Sequence, residues 1–229
     1  MTQLLNSKML VVGATGGLGS AISRQLSLQG ARLVLAGRNE KKLAALTDQL
    51  GDSVIGTVSA DLTLPSGPAA VAAAAARGGG LDGVIYAAGV VAFGPLSELD
   101  DDAFEQMLLL NFIAPVRLFK NLLPQLKPGS VVVHLSAIVA EKPMKGMAAY
   151  SATKCALTGF SAAMGAELRR EHIRVLDVRP PHTETGLHTR PISGVPPRLG
   201  QGLDPAAVAQ RIVSAIMADE PDLPSTAFS

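Results

Sequence analysis

Tyr150 and Lys154 stand four residues apart in Tyr150-Ser151-Ala152-Thr153-Lys154. On a helix, positions i and i+4 share a face, so the phenol and the ammonium project into the same space. A free phenol titrates at about 10 and is protonated at neutral pH. A neighbouring ammonium favours the phenolate and lowers that value, which suits the pair to general acid/base work. Ser136 ends an apolar run, Val132-Val133-His134-Leu135-Ser136, fourteen positions before Tyr150. Its hydroxyl could hydrogen-bond a substrate oxygen as charge develops there, or it could simply satisfy a loop carbonyl. Asn111, within Leu108-Leu109-Leu110-Asn111-Phe112, is an amide amid apolar residues that should be buried and must find partners.

Near the N-terminus the apolar run 9–12 leads into Gly13-Ala14-Thr15-Gly16-Gly17-Leu18-Gly19 and then a helical stretch. Glycines permit a tight turn and let backbone N–H groups approach a pyrophosphate, and the helix N-terminus adds a positive dipole end. This placement favours a dinucleotide cradle over a plain strand–helix turn. The second apolar run ends in Ala36-Gly37-Arg38. A free ribose 2′-OH is usually held by an acidic residue near this point. Gly37 offers none, and an arginine fork suits a 2′-phosphate, so Arg38 points to NADP more than NAD unless it is only a solvated surface arginine.

The spacing Gly13-x-x-x-Gly17-x-Gly19, followed by Tyr150-x-x-x-Lys154, resembles the short-chain dehydrogenase/reductase family over roughly residues 8 to 220. That resemblance implies that Tyr150, Lys154, Ser136 and Asn111 are the catalytic set. In it Lys154 also binds the nicotinamide ribose, and Asn111 holds a water in a proton relay. Gly13, Thr15, Gly16, Gly17, Leu18 and Gly19 would bind cofactor, as would Asp61 with Leu62 through the adenine amino group. Ala87, Ala88 and Gly89 would lie against the ribose, and Pro180, Thr183 and Thr185 would reach the nicotinamide carboxamide. Several positions depart from the family pattern. Val12 replaces a common Thr, Tyr86-Ala87 a common Asn-Asn, Ala137 a second serine and Pro181 a glycine. Asp61 could equally cap its own turn, and Asn111 could be structural.

The elements that must position these groups alternate along the chain. Strand-like runs fall at 9–12, 32–36, 54–58, 83–87, 130–135 and 174–178, with helical stretches at 18–29, 40–50, 66–77, 98–124, 148–170 and 205–219. Near-continuous apolar strands are covered on both faces, so the expectation is a doubly wound α/β parallel sheet of Rossmann type in three layers. The whole chain, 1–229, reads as one domain. A seventh strand in the order 3-2-1-4-5-6-7 depends on whether the tail supplies it. The segment 69–76 is almost all Ala and ends at Gly78-Gly79-Gly80, which reads as a helix packed closely on the sheet. The proline- and glycine-rich stretch 180–205 reads as a mobile substrate loop.

The remaining features exclude more than they select. Net charge is +1 with no basic block beyond Arg169-Arg170, which disfavours nucleic acid as a partner. No run reads as a membrane span, and residues 1–8 lack the long apolar segment of a secretory signal. The single cysteine, Cys155, permits no internal disulfide and fits a reducing cytoplasm. The four histidines show no metal spacing such as His-Glu-x-x-His, and no Gly-x-Ser-x-Gly elbow is present, so no metal site and no serine hydrolase is expected. The expected activity is NADP(H)-dependent hydride transfer to or from a small, apolar carbonyl or alcohol substrate. The pocket would be built from 90–96, 138–147 and 180–205, with Ala92, Phe93, Ile138, Val139, Met144 and Met147 making it apolar. Rivals are a non-enzymatic dinucleotide sensor or scaffold on the same fold, and an epimerase or dehydratase that retains its cofactor. The resemblance also implies a homodimer or homotetramer through the helices at 98–124 and 148–170.

Overall fold

The computed structural model describes residues 2–228. Six strands form one parallel sheet in the order β3-β2-β1-β4-β5-β6. They are β1 (Lys8–Val12), β2 (Arg32–Gly37), β3 (Val54–Ser59), β4 (Leu81–Tyr86), β5 (Leu126–Leu135) and β6 (Arg174–Val178). Between and after them run α1 (Gly17–Leu28), α2 (Glu40–Leu50), α3 (Ser66–Ala76), α4 (Asp101–Leu108), α5 (Ala114–Leu122), α6 (Ala148–Leu168) and α7 (Pro205–Met217).

The continuous apolar strands are explained by two cores, one on each face of the sheet. Alternate residues Met9, Val11, Leu33 and Leu35 pack against Ile22 and Leu26 of α1 and Ile212 and Ile216 of α7. The intervening Leu10, Val12, Val34 and Val84 pack against Val71 of α3, Leu118 and Phe119 of α5 and Met164 of α6. Every residue of β1 is therefore buried. The edge strand β3 alternates instead between half-buried and exposed positions. The alanine-rich α3 lies close to its neighbours, with Ala75 fully buried, and the Lys8 ammonium donates to the carbonyls of Arg77 and Gly79 just past its end.

The structure decides the open question of a seventh strand and refines the helical stretch at 98–124. The tail does not build a seventh strand: Leu223 makes a single parallel bridge to Val178, with Arg179 N–H donating to the Leu223 carbonyl and Leu223 N–H to Asp177. Pro221 and Pro224 flank Leu223, and prolines have no N–H to extend the ladder. The helical stretch expected at 98–124 is present as one run, Asp101–Gln125, with an irregularity inside it. A π turn, Leu109–Ile113, separates α4 from α5. The run Asp101–Gln125 is long and apolar enough to cross a membrane by length and composition alone, but its apolar side, including Met107, Leu118, Phe119 and Leu122, is part of the protein core.

The π turn is braced from the sheet. Tyr86, at the end of β4 and 1% exposed, donates its hydroxyl to the Leu110 carbonyl at 2.7 Å. Burial pushes that phenol well above its ordinary value, so it stays a donor. Tyr86→Phe leaves the Leu110 carbonyl buried without its partner and should cost about 1–3 kcal/mol. Urea unfolding of the variant would measure this, and an unchanged midpoint would show that the brace contributes nothing.

Candidate functional site

An open cavity of about 640 Å³ lies along the carboxyl edge of the sheet, where β1, β4, β5 and β6 end. Ligands of open parallel sheets bind at this edge. One end of the cavity is the turn after β1. Gly13 has φ +79 there, and a Cβ on it would fall 2.6 Å from the backbone nitrogen of Ala88. A Cβ on Gly19 would fall 2.2 Å from the Gly13 carbonyl, and one on Gly17 2.7 Å from Thr185. The glycines are thus required by the close approach of three chain segments, and they leave the N-terminus of α1 open to the cavity. Thr15, Gly16, Gly17 and Leu18 line it, as do Leu62, Ala87, Ala88, Gly89, Pro180, Thr183 and Thr185.

Two cofactor candidates do not line the cavity. Gly19 is buried beneath the turn. Asp61 accepts from the Thr63 N–H and hydroxyl through Oδ1, so it caps its own turn, and those bonds hold its carboxyl below the ordinary value. Arg38, by contrast, is exposed at the cavity mouth with Lys42 and Asn39. Asn39 caps α2 through the Lys42 N–H. A Cβ on Gly37 would sit 3.1 Å from the Thr15 hydroxyl, so an acidic residue would fit there only if Thr15 moved.

Tyr150 and Lys154 are both on α6 and both buried, at 7% and 5% exposure. The Lys154 Nζ lies 5.7 Å from the centre of the Tyr150 ring and donates to the Leu135 carbonyl at 2.8 Å. Asn111, wholly buried in the π turn, accepts from the Val90 N–H through Oδ1 and donates to the Val90 carbonyl and the Thr153 hydroxyl through Nδ2. Thr153 in turn donates to the Tyr150 carbonyl. Gly89 has no side chain to separate Asn111 from Lys154: a Cβ there would be 3.2 Å from Asn111 Oδ1 and 3.7 Å from Lys154 Nζ. Tyr150, Lys154 and Asn111 are therefore assembled together, with Asn111 clamping the loop after β4 onto α6.

The electrostatics differ from the sequence expectation. Burial pushes the Tyr150 phenol above its ordinary value. Burial also pulls Lys154 down to about 8, while Asp177 acts in the opposite direction. His134, in the middle of the sheet, is pulled down to about 3 by burial and by Lys154. It is neutral, stacked between Phe119 and Phe160, and hydrogen-bonded to Ser161.

Ser136 lines the same cavity as Tyr150 and Lys154, but its hydroxyl is engaged by other partners. Its hydroxyl donates to Asp177 on β6 and accepts from Thr158. Thr158 lies eight residues beyond Tyr150, about 12 Å along the axis of α6. The next residue, Ala137, has its backbone extended at φ −179 and packs with the apolar cluster that contains Tyr150. Successive side chains of an extended chain point to opposite sides, so the position beside the phenol carries a methyl group. The serine hydroxyl expected beside the substrate oxygen is bonded instead to Asp177 and Thr158.

Beyond the phenol the cavity wall is apolar. Val91, Phe93, Ile138, Val139, Met144 and Met147 line it, with Val91 in the place expected of Ala92. The segment after β6 closes over it. Phe93 N–H donates to Ser193, Ile192 N–H to Val91, and Ile138 N–H to Pro180. In that segment His182, Glu184 and His188 come together, with their ligand atoms within 4.8 Å of one another. The sequence spacing gave no sign of this.

Comparisons with known proteins agree with this architecture. A family model described as short chain dehydrogenase matches residues 7–193. The mouse protein "Dehydrogenase/reductase SDR family member 7B" is 32% identical, over 98% of this chain and 75% of its own length. An "Uncharacterized oxidoreductase" of Staphylococcus epidermidis is 29% identical over 81% of each chain. Among solved structures, a short chain dehydrogenase from Burkholderia cenocepacia in complex with NADP superposes with TM-score 0.86 at 22% identity, covering 98% of this chain and 97% of the other. One from Burkholderia phymatum in complex with NAD superposes at 0.87 and 22% identity, covering 98% and 90%.

The geometry separates two neighbouring residues by experiment. Ser136→Ala should lower stability by about 1–3 kcal/mol, because buried Asp177 loses a donor. Its turnover should fall far less than the ~100-fold expected for a lost proton-transfer group. Ala137→Ser places a hydroxyl beside Tyr150 and should raise turnover, by up to about 100-fold if it reaches the developing oxyanion. A collapse of turnover in Ser136→Ala with the fold intact would restore that serine to the mechanism.

Proposed function

The chain belongs to the short-chain dehydrogenase family and is an NAD(P)-dependent oxidoreductase, and from that premise we propose that it reduces an apolar ketone or aldehyde with NADPH, reversibly. The observation that carries this reading is the buried Tyr150–Lys154 pair inside a cavity that begins at the glycine turn. A dinucleotide fits the residues present, since side chains on Gly17 or Gly19 would collide with backbone and close the cradle. When bound, the nicotinamide supplies the hydride.

The protein's part is orientation and proton movement. Thr15, Gly16 and Gly17 receive the pyrophosphate at the N-terminus of α1. Lys154 donates to the ribose hydroxyls while its backbone contact at Leu135 fixes its reach. Asn111 keeps α6 and the β4 loop in register and supports the relay. Tyr150, held protonated at neutral pH by burial, donates its proton to the oxygen that becomes the alcohol. Leu62, Ala87, Ala88, Gly89, Pro180, Thr183 and Thr185, which line the cavity, would complete the cofactor contacts in this reading, with Asp61 holding the turn that carries Leu62. The apolar wall from Val91 to Met147 favours a hydrophobic substrate over a highly charged one. Residues 180–205 are proposed to act as the substrate loop of a single domain.

The same reading includes a homodimer or homotetramer through the helices at 98–124 and 148–170. The exposed side of α6 is Ala148, Ala152, Cys155, Gly159, Ala162, Ala163, Ala166 and Glu167, and all but the last are small residues that allow close approach of a second helix. The free thiol of Cys155 fits a reducing cytoplasm. A sensor or scaffold function is disfavoured, because binding alone has no need of a buried, aligned phenol and ammonium.

Tyr150→Phe should lower turnover by at least ~100-fold with little change in cofactor binding. Lys154 carries its charge below about 8 and loses it as pH rises through that value. In wild type, kcat/KM for reduction should therefore decline on the alkaline side of that value. Near-normal turnover in Tyr150→Phe, measured by NADPH absorbance against a panel of carbonyl compounds, would sink the mechanism.

Cofactor choice rests on Arg38. One or two charge-assisted hydrogen bonds to a 2′-phosphate, at a site open to solvent, should give a preference of about 10-fold for NADPH. Arg38→Ala should weaken NADPH binding by that factor and leave NADH unchanged. An equal loss for both cofactors in a fluorescence titration would mark Arg38 as a surface arginine.

A further inference from the structure

Residues 182–184 form a short extended segment paired with Leu203: Thr183 bridges Leu203, Leu203 N–H donates to the His182 carbonyl and Glu184 N–H to the Leu203 carbonyl. In an extended segment residues i and i+2 point to one side, so His182 and Glu184 face the same way. Gly186, with φ +69, then turns the chain back and brings His188 over them. The two imidazole rings meet edge to face, 4.7 Å between centres.

Three features of this cluster are unlike an ordinary solvated loop. His188 Nδ1 is shielded from solvent without a hydrogen-bond partner, and His182 Nε2, also shielded, has only a long contact to the Glu184 carboxylate. Buried polar nitrogens without partners are uncommon and costly. His182 Nε2 lies 3.4 Å from Glu184 Oε1, close to the ~3.3 Å between ligands on a tetrahedral ion with bonds of about 2.0–2.1 Å. Glu184 Oε1 is itself oriented by the Gly202 N–H at 2.7 Å, the kind of second partner that fixes a metal-binding carboxylate. Gly202 must also lack a side chain, because a Cβ there would fall 2.8 Å from the His182 ring.

We propose that His182, Glu184 and His188 form a three-ligand site for a divalent metal of the zinc class. Two imidazoles and one carboxylate suit zinc, cobalt or nickel, whereas magnesium and calcium prefer all-oxygen sets. The ligand atoms, now within 4.8 Å of one another, need only a side-chain adjustment to close on an ion. His182 and His188 also line the large cavity, so an ion held there would be reachable from it. The bound ion ties the start of the loop to its end at Gly202 and Leu203, and braces Thr183 and Thr185 between the ligands.

The test is titration of the full chain, without any histidine tag, with Zn2+ against a chromophoric chelator. Neither cofactor nor substrate is present, so the result stands apart from the oxidoreductase reading. One equivalent should bind with micromolar affinity or better, and excess Mg2+ should not displace it. His182→Ala and His188→Ala should each weaken binding by about 100-fold or more, and Glu184→Gln, which keeps an acceptor for Gly202, by about 10-fold. Zn2+ should raise the Tm of wild type and not of the histidine variants, whose circular dichroism confirms folding. Cys155→Ser should bind as wild type does. No binding at ~100 µM zinc, binding that survives both histidine substitutions, or binding lost in Cys155→Ser would each overturn the site.

Discussion

A buried ammonium must be surrounded by oxygen, and the carboxyl edge of the sheet is arranged around that demand at Lys154. Its fixed protein acceptor is the Leu135 carbonyl, so β5 must end at this point and its chain must leave in an extended path. Gly89 must be bare for Lys154 and Asn111 to lie side by side. Asn111 must then spend its amide on Val90 and Thr153, which holds the β4 loop against the first turns of α6. The π turn makes room for that amide, and Tyr86 anchors the turn to β4.

A second charge centre holds the opposite flank. Arg179, at the end of β6, pairs with Asp177, Glu141 and Asp222. Burial disfavours its charge, but the three carboxylates outweigh burial and hold the guanidinium firmly protonated. Glu141 also accepts from the Ser225 N–H and hydroxyl. The β5–α6 loop, β6 and the tail are thereby joined at one guanidinium. Such a network contributes more to fixing register than to net stability. Asp177 has one oxygen for Arg179 and the other for Ser136, and this draws the serine hydroxyl away from the phenol.

The sheet was legible because buried strands leave a pattern that survives without context. All six apolar runs became strands, and the glycine turn and the Tyr150–Lys154 spacing constrain geometry locally. What was not legible depends on partners far away in sequence. A one-residue offset at the end of a strand reverses the side to which a group points, and only the contact with Asp177 on β6 shows that Ser136 faces away. The π turn leaves the apolar periodicity of α4 and α5 nearly intact, so the run read as one helix. The grouping of His182, Glu184 and His188 comes from pairing of 182–184 with Leu203. The failure of the seventh strand, in contrast, was written in Pro221 and Pro224 and needed only a count of missing N–H donors.

The methyl group at Ala137 changes how the site must work. With a hydroxyl there, a substrate oxygen would meet two donors, and either could be imperfect. In the proposed mechanism the phenol would be the side-chain donor beside that oxygen, so its own placement and protonation would carry the polarisation of the carbonyl. Burial supports this in two ways. It keeps the proton on Tyr150, and the apolar wall formed by Val91, Phe93, Ile138, Val139 and Met147 lowers the local dielectric, in which a single hydrogen bond is electrostatically stronger than in water. The same wall must also aim the substrate, because one donor fixes a point and not an orientation. In the proposed reaction selectivity would therefore be built from shape, in the apolar contacts of the β4 loop, the β5–α6 loop and the segment after β6.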